Sequence, residues 1–184
     1  MIYLLRHGLD DENYIGGWSD VDLVEEGIKQ IERSRDFISK NLSIKRIISS
    51  DIKRAQTTAR IVNKNLNLPI ELDSRLRELD KGNLTGLLKE NLDINTKNFI
   101  RNITINDKYP NGESMISFYK RIKKLLPRLK EYDDTLLITH RGVINMIYYY
   151  LENIELDMNK ERFKVTHGSI HELDLDRKLI RRIY

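Results

Sequence analysis

The chain has 184 residues, 40% apolar and 33% charged, a balance that suits one globular domain with a substantial core. It contains no cysteine, which excludes a disulfide framework, a thiolate nucleophile and a thiolate metal site. The net charge of +4 is spread through mixed Lys/Arg and Asp/Glu with no basic block. A nucleic-acid partner is therefore not expected, while a mild positive field suits a small anionic substrate.

Residues 2–5 read as a buried strand. This apolar start is too short for a signal peptide, and the apolar stretch 143–151 is too short for a membrane span and contains Asn145. A cytoplasmic protein with no membrane partner is expected. Residues 25–42 carry Ile28, Ile31, Phe37, Ile38 and Leu42 at helical spacing. Residues 46–50 (RIISS) form a second strand, 51–66 a helix with Asp51 as N-cap, and 69–72 a third strand. The stretch 83–110, rich in Asn, Lys and Thr, breaks the pattern and reads as an excursion from the core. Residues 114–132 are helical, with Pro127 expected to kink or divide the helix. Residues 135–139 (TLLIT) give a strand, 143–153 a helix, and 169–175 and 178–183 two strands about an Asp176-Arg177 turn. The alternation predicts a single α/β domain, a three-layer sandwich with a mainly parallel central sheet, helices on both faces and a small cap insert at 83–110.

Three predicted strands end in polar residues of one kind. The first runs into Arg6-His7-Gly8, the fourth into His140-Arg141-Gly142, and the second into Asp51-Ile52-Lys53-Arg54. Ligands of open α/β sheets bind beyond the carboxyl ends of the strands. If these strands are neighbours, two histidines and at least two arginines share one rim, beside helix starts whose free N–H groups favour anions. Such a set suits phosphoryl transfer. Arginine forks hold the non-bridging oxygens, and a neutral histidine attacks phosphorus. Neighbouring guanidinium groups disfavour the protonated ring and so keep it neutral.

Six segments in order then resemble the histidine phosphatase, or phosphoglycerate-mutase-like, superfamily: LLRHGLDDEN, GWSDVDLVEEG, SSDIKRAQTTA, RLRELDKGNLTG, PNGES and LLITHRGVIN. The resemblance implies His7 as the phosphorylated nucleophile, with Arg6, Arg54 and His140 on the phosphoryl oxygens. Asn13 matches a polar residue lining that pocket. Glu78 matches the proton donor to the leaving group and then the base for water. Gly142 would let backbone N–H groups approach the anion, and Gly17 and Glu113 match substrate-proximal positions. Asp10 departs from the family, which usually has a small hydroxyl residue there. Its charge weakens phosphate binding unless it pairs with a cation or points away. Arg141 stands where glycine is common.

Other features are less directive. His167 and His171, four apart in THGSIH, lack a clear third metal ligand, and their spacing suits a helix better than the strand expected there. Lys89, Lys97, Arg101 and Lys108 lie in the 83–110 stretch, where a solvated surface is favoured over substrate contact. The tyrosines at 148–150 read as core and flank. The leading reading is a metal-independent phosphomonoester hydrolase that uses a phosphohistidine on a small phosphorylated metabolite, with no cofactor. The alternatives are a phosphoglycerate-type phosphomutase and a non-catalytic phospholigand-binding protein. Oligomeric state is not legible.

Overall fold

Alternation of apolar residues along the short β-runs decides the architecture. The computed structural model describes residues 1–184. Strands β1 (Ile2–Arg6), β2 (Arg46–Ser49), β3 (Ile70–Leu72), β4 (Thr135–Thr139), β5 (Ile170–Asp174) and β6 (Leu179–Arg182) form one sheet of order β3-β2-β4-β1-β5-β6. The first four pair in parallel, β5 is antiparallel to β1, and β6 is antiparallel to β5. Five of the six strands thus point the same way, as a mainly parallel sheet requires. In β1, Leu4 faces one core and Leu5 the other; in β2, Ile48 and Ile47 divide likewise. That period of two makes both faces of the sheet apolar, so both need covering.

Helices α1 (Glu25–Asn41) and α2 (Lys53–Asn63) cover one face through Ile31, Ile38, Ala55, Ala59 and Val62. Helices α4 (Met115–Leu129) and α5 (Arg141–Glu152) cover the other through Phe118, Ile122, Leu126, Ile144 and Ile147. The result is the three-layer α/β sandwich. No helix is long and apolar enough to cross a membrane.

Several boundaries differ from expectation for identifiable reasons. Asp51 does not cap α2, whose N-cap is Ile52 with no side-chain bond; the Asp51 carboxylate is instead held by Arg77, whose Nε donates at 2.6 Å. Pro127 does not divide α4, because it sits in the last turn and the helix ends two residues later. Helix α5 begins at Arg141, two residues before the apolar run, which makes His140 its N-cap. The 83–110 stretch contains a 3-10 turn at Lys89–Asn91 and helix α3 (Ile94–Asn102), whose cap Asp93 accepts from the N–H groups of Asn95 and Thr96.

The loop after β1 crosses the first turn of α1 with no side chain between them. A Cβ on Gly27 would lie 2.1 Å from Leu9 O, and one on Gly8 would lie 2.4 Å from Gly27 O. Two glycines therefore set how closely α1 presses the loop that follows His7. Gly27→Ala gains about 1 kcal/mol of helix propensity. The clash is backbone against backbone and is expected to outweigh that gain, with a net loss of roughly 1–3 kcal/mol. Urea unfolding should show a lower midpoint at unchanged slope; an unchanged or raised midpoint would mean that the loop yields.

Candidate active site

Parallel pairing brings three strand ends level. Arg6 stands opposite Thr139 in the β1–β4 register, and Ser49 opposite Ile138 in β2–β4. The next residues, His7, His140 and Ser50, therefore share one edge. Loop bonds fix them: His7 N–H donates to Thr139 O at 3.0 Å, and Ser50 N–H to Ile138 O at 2.9 Å. The His7 and His140 rings lie 5.1 Å apart.

His7 Nδ1 is 2.7 Å from Gly8 O. A carbonyl only accepts, so Nδ1 carries the proton and Nε2 keeps its lone pair. The other side of the ring agrees, because Arg54 Nε donates to His7 Nε2 at 3.2 Å. Burial above all, then the charge of Arg54, holds the His7 pKa well below the usual histidine value. The ring is neutral, with its free nitrogen inside a cationic pocket.

The two arginines are fixed by the backbone. Arg54, 2% exposed, donates from Nη2 to Gly17 O at 2.7 Å, and Asp10 Oδ2 lies 3.5 Å from its Nε. Asp10 thus pairs with a cation, and burial raises its pKa, so the departure from the family pattern leaves the pocket positive. Arg6 donates from Nη1 to Val165 O at 2.7 Å and from Nη2 to His167 Nε2 at 2.5 Å. Burial lowers its pKa to about 10, which still leaves it charged at neutral pH. His140 is fully buried, with Nε2 2.9 Å from Ser50 Oγ. Arg6 Nε and His140 Nδ1 are buried polar atoms without a partner, which suits an anion with oxygens to share.

His167 is a member of this cluster that the sequence did not place. Its ring lies 5.7 Å from that of His7. The reason is topological: β5 runs antiparallel to β1, so the segment before β5 ends at the same rim. His171 is separate, a core residue bonded to Tyr148 and Ser169 at 2.9 Å each. His7, Asp10 and His167 bring ligand atoms within 4.8 Å of one another. Arg54 contacts His7 and Asp10, Arg6 contacts His167, and their charges oppose a cation there and favour an anion.

Glu78 faces the same cavity, of about 570 Å³, as Arg6, His7, Arg54 and Gly17. Its carboxylate accepts from Leu79 N–H at 2.9 Å and Gly142 N–H at 3.0 Å. Its carbonyl accepts from Trp18 Nε1 at 2.7 Å and from Arg121 Nη2 at 3.0 Å. The Gly142 N–H thus bonds Glu78, and Gly142 itself lines the cavity; a Cβ there would lie 2.0 Å from Glu78 Oε1. Glu113 does not line the cavity. It accepts from Asp80 N–H and pairs with Arg121, so it braces the Glu78 loop. Asn13 is also outside, exposed in a shallow cleft with Leu88 and Lys89. Its neighbours Glu12 and Tyr14 reach the main cavity instead. Three of the four cations noted in the 83–110 stretch, Lys89, Lys97 and Arg101, line the cavity; Lys108 does not.

The family model of the histidine phosphatase superfamily (branch 1) matches residues 2–181. "Putative phosphoserine phosphatase 2" of Hydrogenobacter thermophilus is 30% identical over 186 aligned positions, covering 95% of this chain and 89% of that one. Phosphoglycerate mutase-like protein 4 of Arabidopsis thaliana is 34% identical over 158, covering 80% and 69%. Among solved structures, the alpha-ribazole phosphatase from Shigella flexneri superposes with a TM-score of 0.78 at 23% identity, covering 98% and 93%, and so shares the fold.

All four histidines have depressed pKa values, His167 to about 3 and His171 to about 4, each chiefly through burial. The unfolded chain, with histidines near 6.5, therefore binds protons first as pH falls. Stability from these groups is whole above about pH 6.5 and is lost toward the folded pKa values, by up to about 1.4 kcal/mol per histidine per pH unit. Urea unfolding between about pH 7.5 and about pH 5.5 should show that steep loss; a flat profile would show the rings to be charged in the folded protein.

Proposed function

The chain belongs to the histidine phosphatase superfamily (branch 1), an enzyme of the phosphatase or mutase kind, and we propose that it is a phosphoric monoester hydrolase. It acts without a metal, through a phosphohistidine, on a small phosphorylated metabolite. The observation that carries the reading is the neutral His7 ring, its Nε2 lone pair held by Arg54 with Glu78 on the same cavity. The relative named for phosphoserine phosphatase activity, aligned over nearly the whole chain, supports it.

In the first step the phosphate oxygens take the place of His7 Nε2 as partners of Arg54, with Arg6 and His140 on the remaining oxygens. Nε2 attacks phosphorus, a P–N bond forms, and the ester P–O bond breaks. Glu78 gives its proton to the departing alkoxide. In the second step the Glu78 carboxylate takes a proton from water, the water oxygen attacks phosphorus, and the P–N bond breaks to free phosphate. Residues 83–110 act as the cap: α3 and the preceding turn bring Lys89, Leu92, Lys97 and Ile100 onto the cavity wall.

A second reading, a phosphomutase that returns the phosphoryl group to another hydroxyl, is favoured by the mutase-like Arabidopsis relative. With 3-phosphoglycerate and a bisphosphate primer, phosphate release outpacing isomerisation is expected; the reverse would establish the mutase.

His7→Ala should abolish turnover and the acid-labile phosphoenzyme trapped by rapid quench. Arg54→Ala should lower kcat/KM by roughly 3 kcal/mol, by analogy with lost oxyanion donors. Glu78→Gln should behave selectively. With 4-nitrophenyl phosphate the leaving group needs no proton, so the phosphoenzyme should accumulate in a burst and break down slowly. Turnover by His7→Ala at the wild-type rate would overturn the mechanism.

A further inference from the structure

We propose that the cavity holds a second anion subsite, so that the substrate carries a carboxylate or another phosphate besides the scissile phosphomonoester, joined to it by an apolar body. This rests on the hydrolase reading above. Five cations line the cavity in addition to Arg6, Arg54 and Arg141: Lys81, Lys89, Lys97, Arg101 and Lys160. They come from separate places, a loop before the cap, a 3-10 turn, helix α3 and the segment after α5. None of the five forms an ion pair, whereas Arg141 on the same wall is neutralised by Glu161 at 2.5 Å.

None of the carboxylates that line the cavity, Asp10, Asp11, Glu12, Glu78 and Asp157, forms an ion pair with them, and only the charge of Glu78 acts on Lys81 and Lys160 from a distance. Asp10 is engaged with Arg54, Glu78 with two backbone N–H groups, and Asp157 with Arg162 and Tyr149. Lys81 is pushed down to about 8, first by burial and then by the charge of Lys160, with Lys89 adding to the effect. Lys81 and Lys160 are thus each disfavoured by cationic neighbours, Lys89 among them, with Glu78 opposing in part. On α3, Lys97 and Arg101 are four residues apart, a like-charge spacing that weakens a nine-residue helix. Folding alone gives no reason to gather unpaired cations here; a bound anion relieves the repulsion.

The cavity is also lined by apolar side chains. Leu92, Ile100, Tyr109, Met115, Met146 and Tyr149 all line it. A bare phosphate fills only a small part of about 570 Å³. The fit is an elongated ester: phosphate at Arg6, His7 and Arg54, apolar chain or ring along these side chains, second anion at the lysines.

Binding of inert phosphonates tests the subsite apart from turnover. Calorimetric titration of the wild-type protein would compare butylphosphonate, phosphonobutyrate and butane bisphosphonate. The two-anion ligands should bind at least about tenfold tighter, or about 1.4 kcal/mol, and whichever gains more identifies the second group. The preference should fall at least about fivefold in Lys81→Gln/Lys160→Gln or in Lys97→Gln/Arg101→Gln, whose side chains lie on an exposed helix; each such loss is about 1 kcal/mol. Equal affinities in wild type, or a preference that survives in both variants, would overturn the proposal. Failure of the hydrolase reading would show separately, as a protein that binds the two-anion phosphonates with the expected preference but forms no phosphoenzyme.

Discussion

The contact between the Arg54 guanidinium and the free nitrogen of His7 governs this molecule. A buried cation needs compensation, and Arg54 finds little of it in charge: one carboxylate, Asp10, at 3.5 Å, and otherwise the Gly17 carbonyl, Ser19 Oγ and a neutral ring. After burial, the same proximity helps to keep the imidazole unprotonated. One interaction therefore does two things. It fixes the ring nitrogen proposed as the nucleophile and leaves a positive field where a phosphoryl group would sit. Preorganisation of this kind needs no rearrangement of dipoles when charge develops at phosphorus.

Everything around that contact is arranged by strand order. β2, β4 and β1 are parallel neighbours, so their carboxyl ends deliver Ser50, His140 and His7 at one height. The antiparallel β5 contributes in the opposite sense: its entering segment, not its leaving one, reaches the rim and supplies the Val165 carbonyl and the His167 ring to Arg6. A sheet that was parallel throughout would leave the Arg6 guanidinium without these partners.

Glu78 stands on a different kind of support. No strand carries it. Its backbone is clamped by Trp18 and Arg121, Arg121 is held by Glu113, and its carboxylate rests on the N–H groups of Leu79 and Gly142. An irregular loop is thereby made stiff enough to keep a carboxylate at the cavity. The contrast with the unpaired lysines that line the same cavity is informative. Charge that serves structure in this protein is paired, as Arg77 with Asp51 and Arg121 with Glu113 are, and charge that faces the cavity is largely not.

The sequence by itself carried the sheet-and-helix alternation, the strand-end clustering of Arg6, His7, Arg54 and His140, and the family. Each of these is encoded locally, as a period of two in apolar residues or a short motif after a strand. Where local rules failed, a distant partner had intervened. Asp51 had the chemistry of an N-cap but was taken by Arg77, and the Gly142 N–H is taken by Glu78. Glu113 and Asn13 lay in matching motifs, yet one became a brace and the other stayed outside the cavity. His167 offered only a histidine before a strand, and nothing local reports the direction in which that strand pairs. The lysines of the 83–110 stretch were indistinguishable from surface charge until α3 packed Leu92, Phe99 and Ile100 against the core and turned Lys97 and Arg101 onto the cavity wall. Periodicity and motif fix what a residue can do; only tertiary contact decides which partner it does it with, because hydrogen bonds and charges act through space and not along the chain.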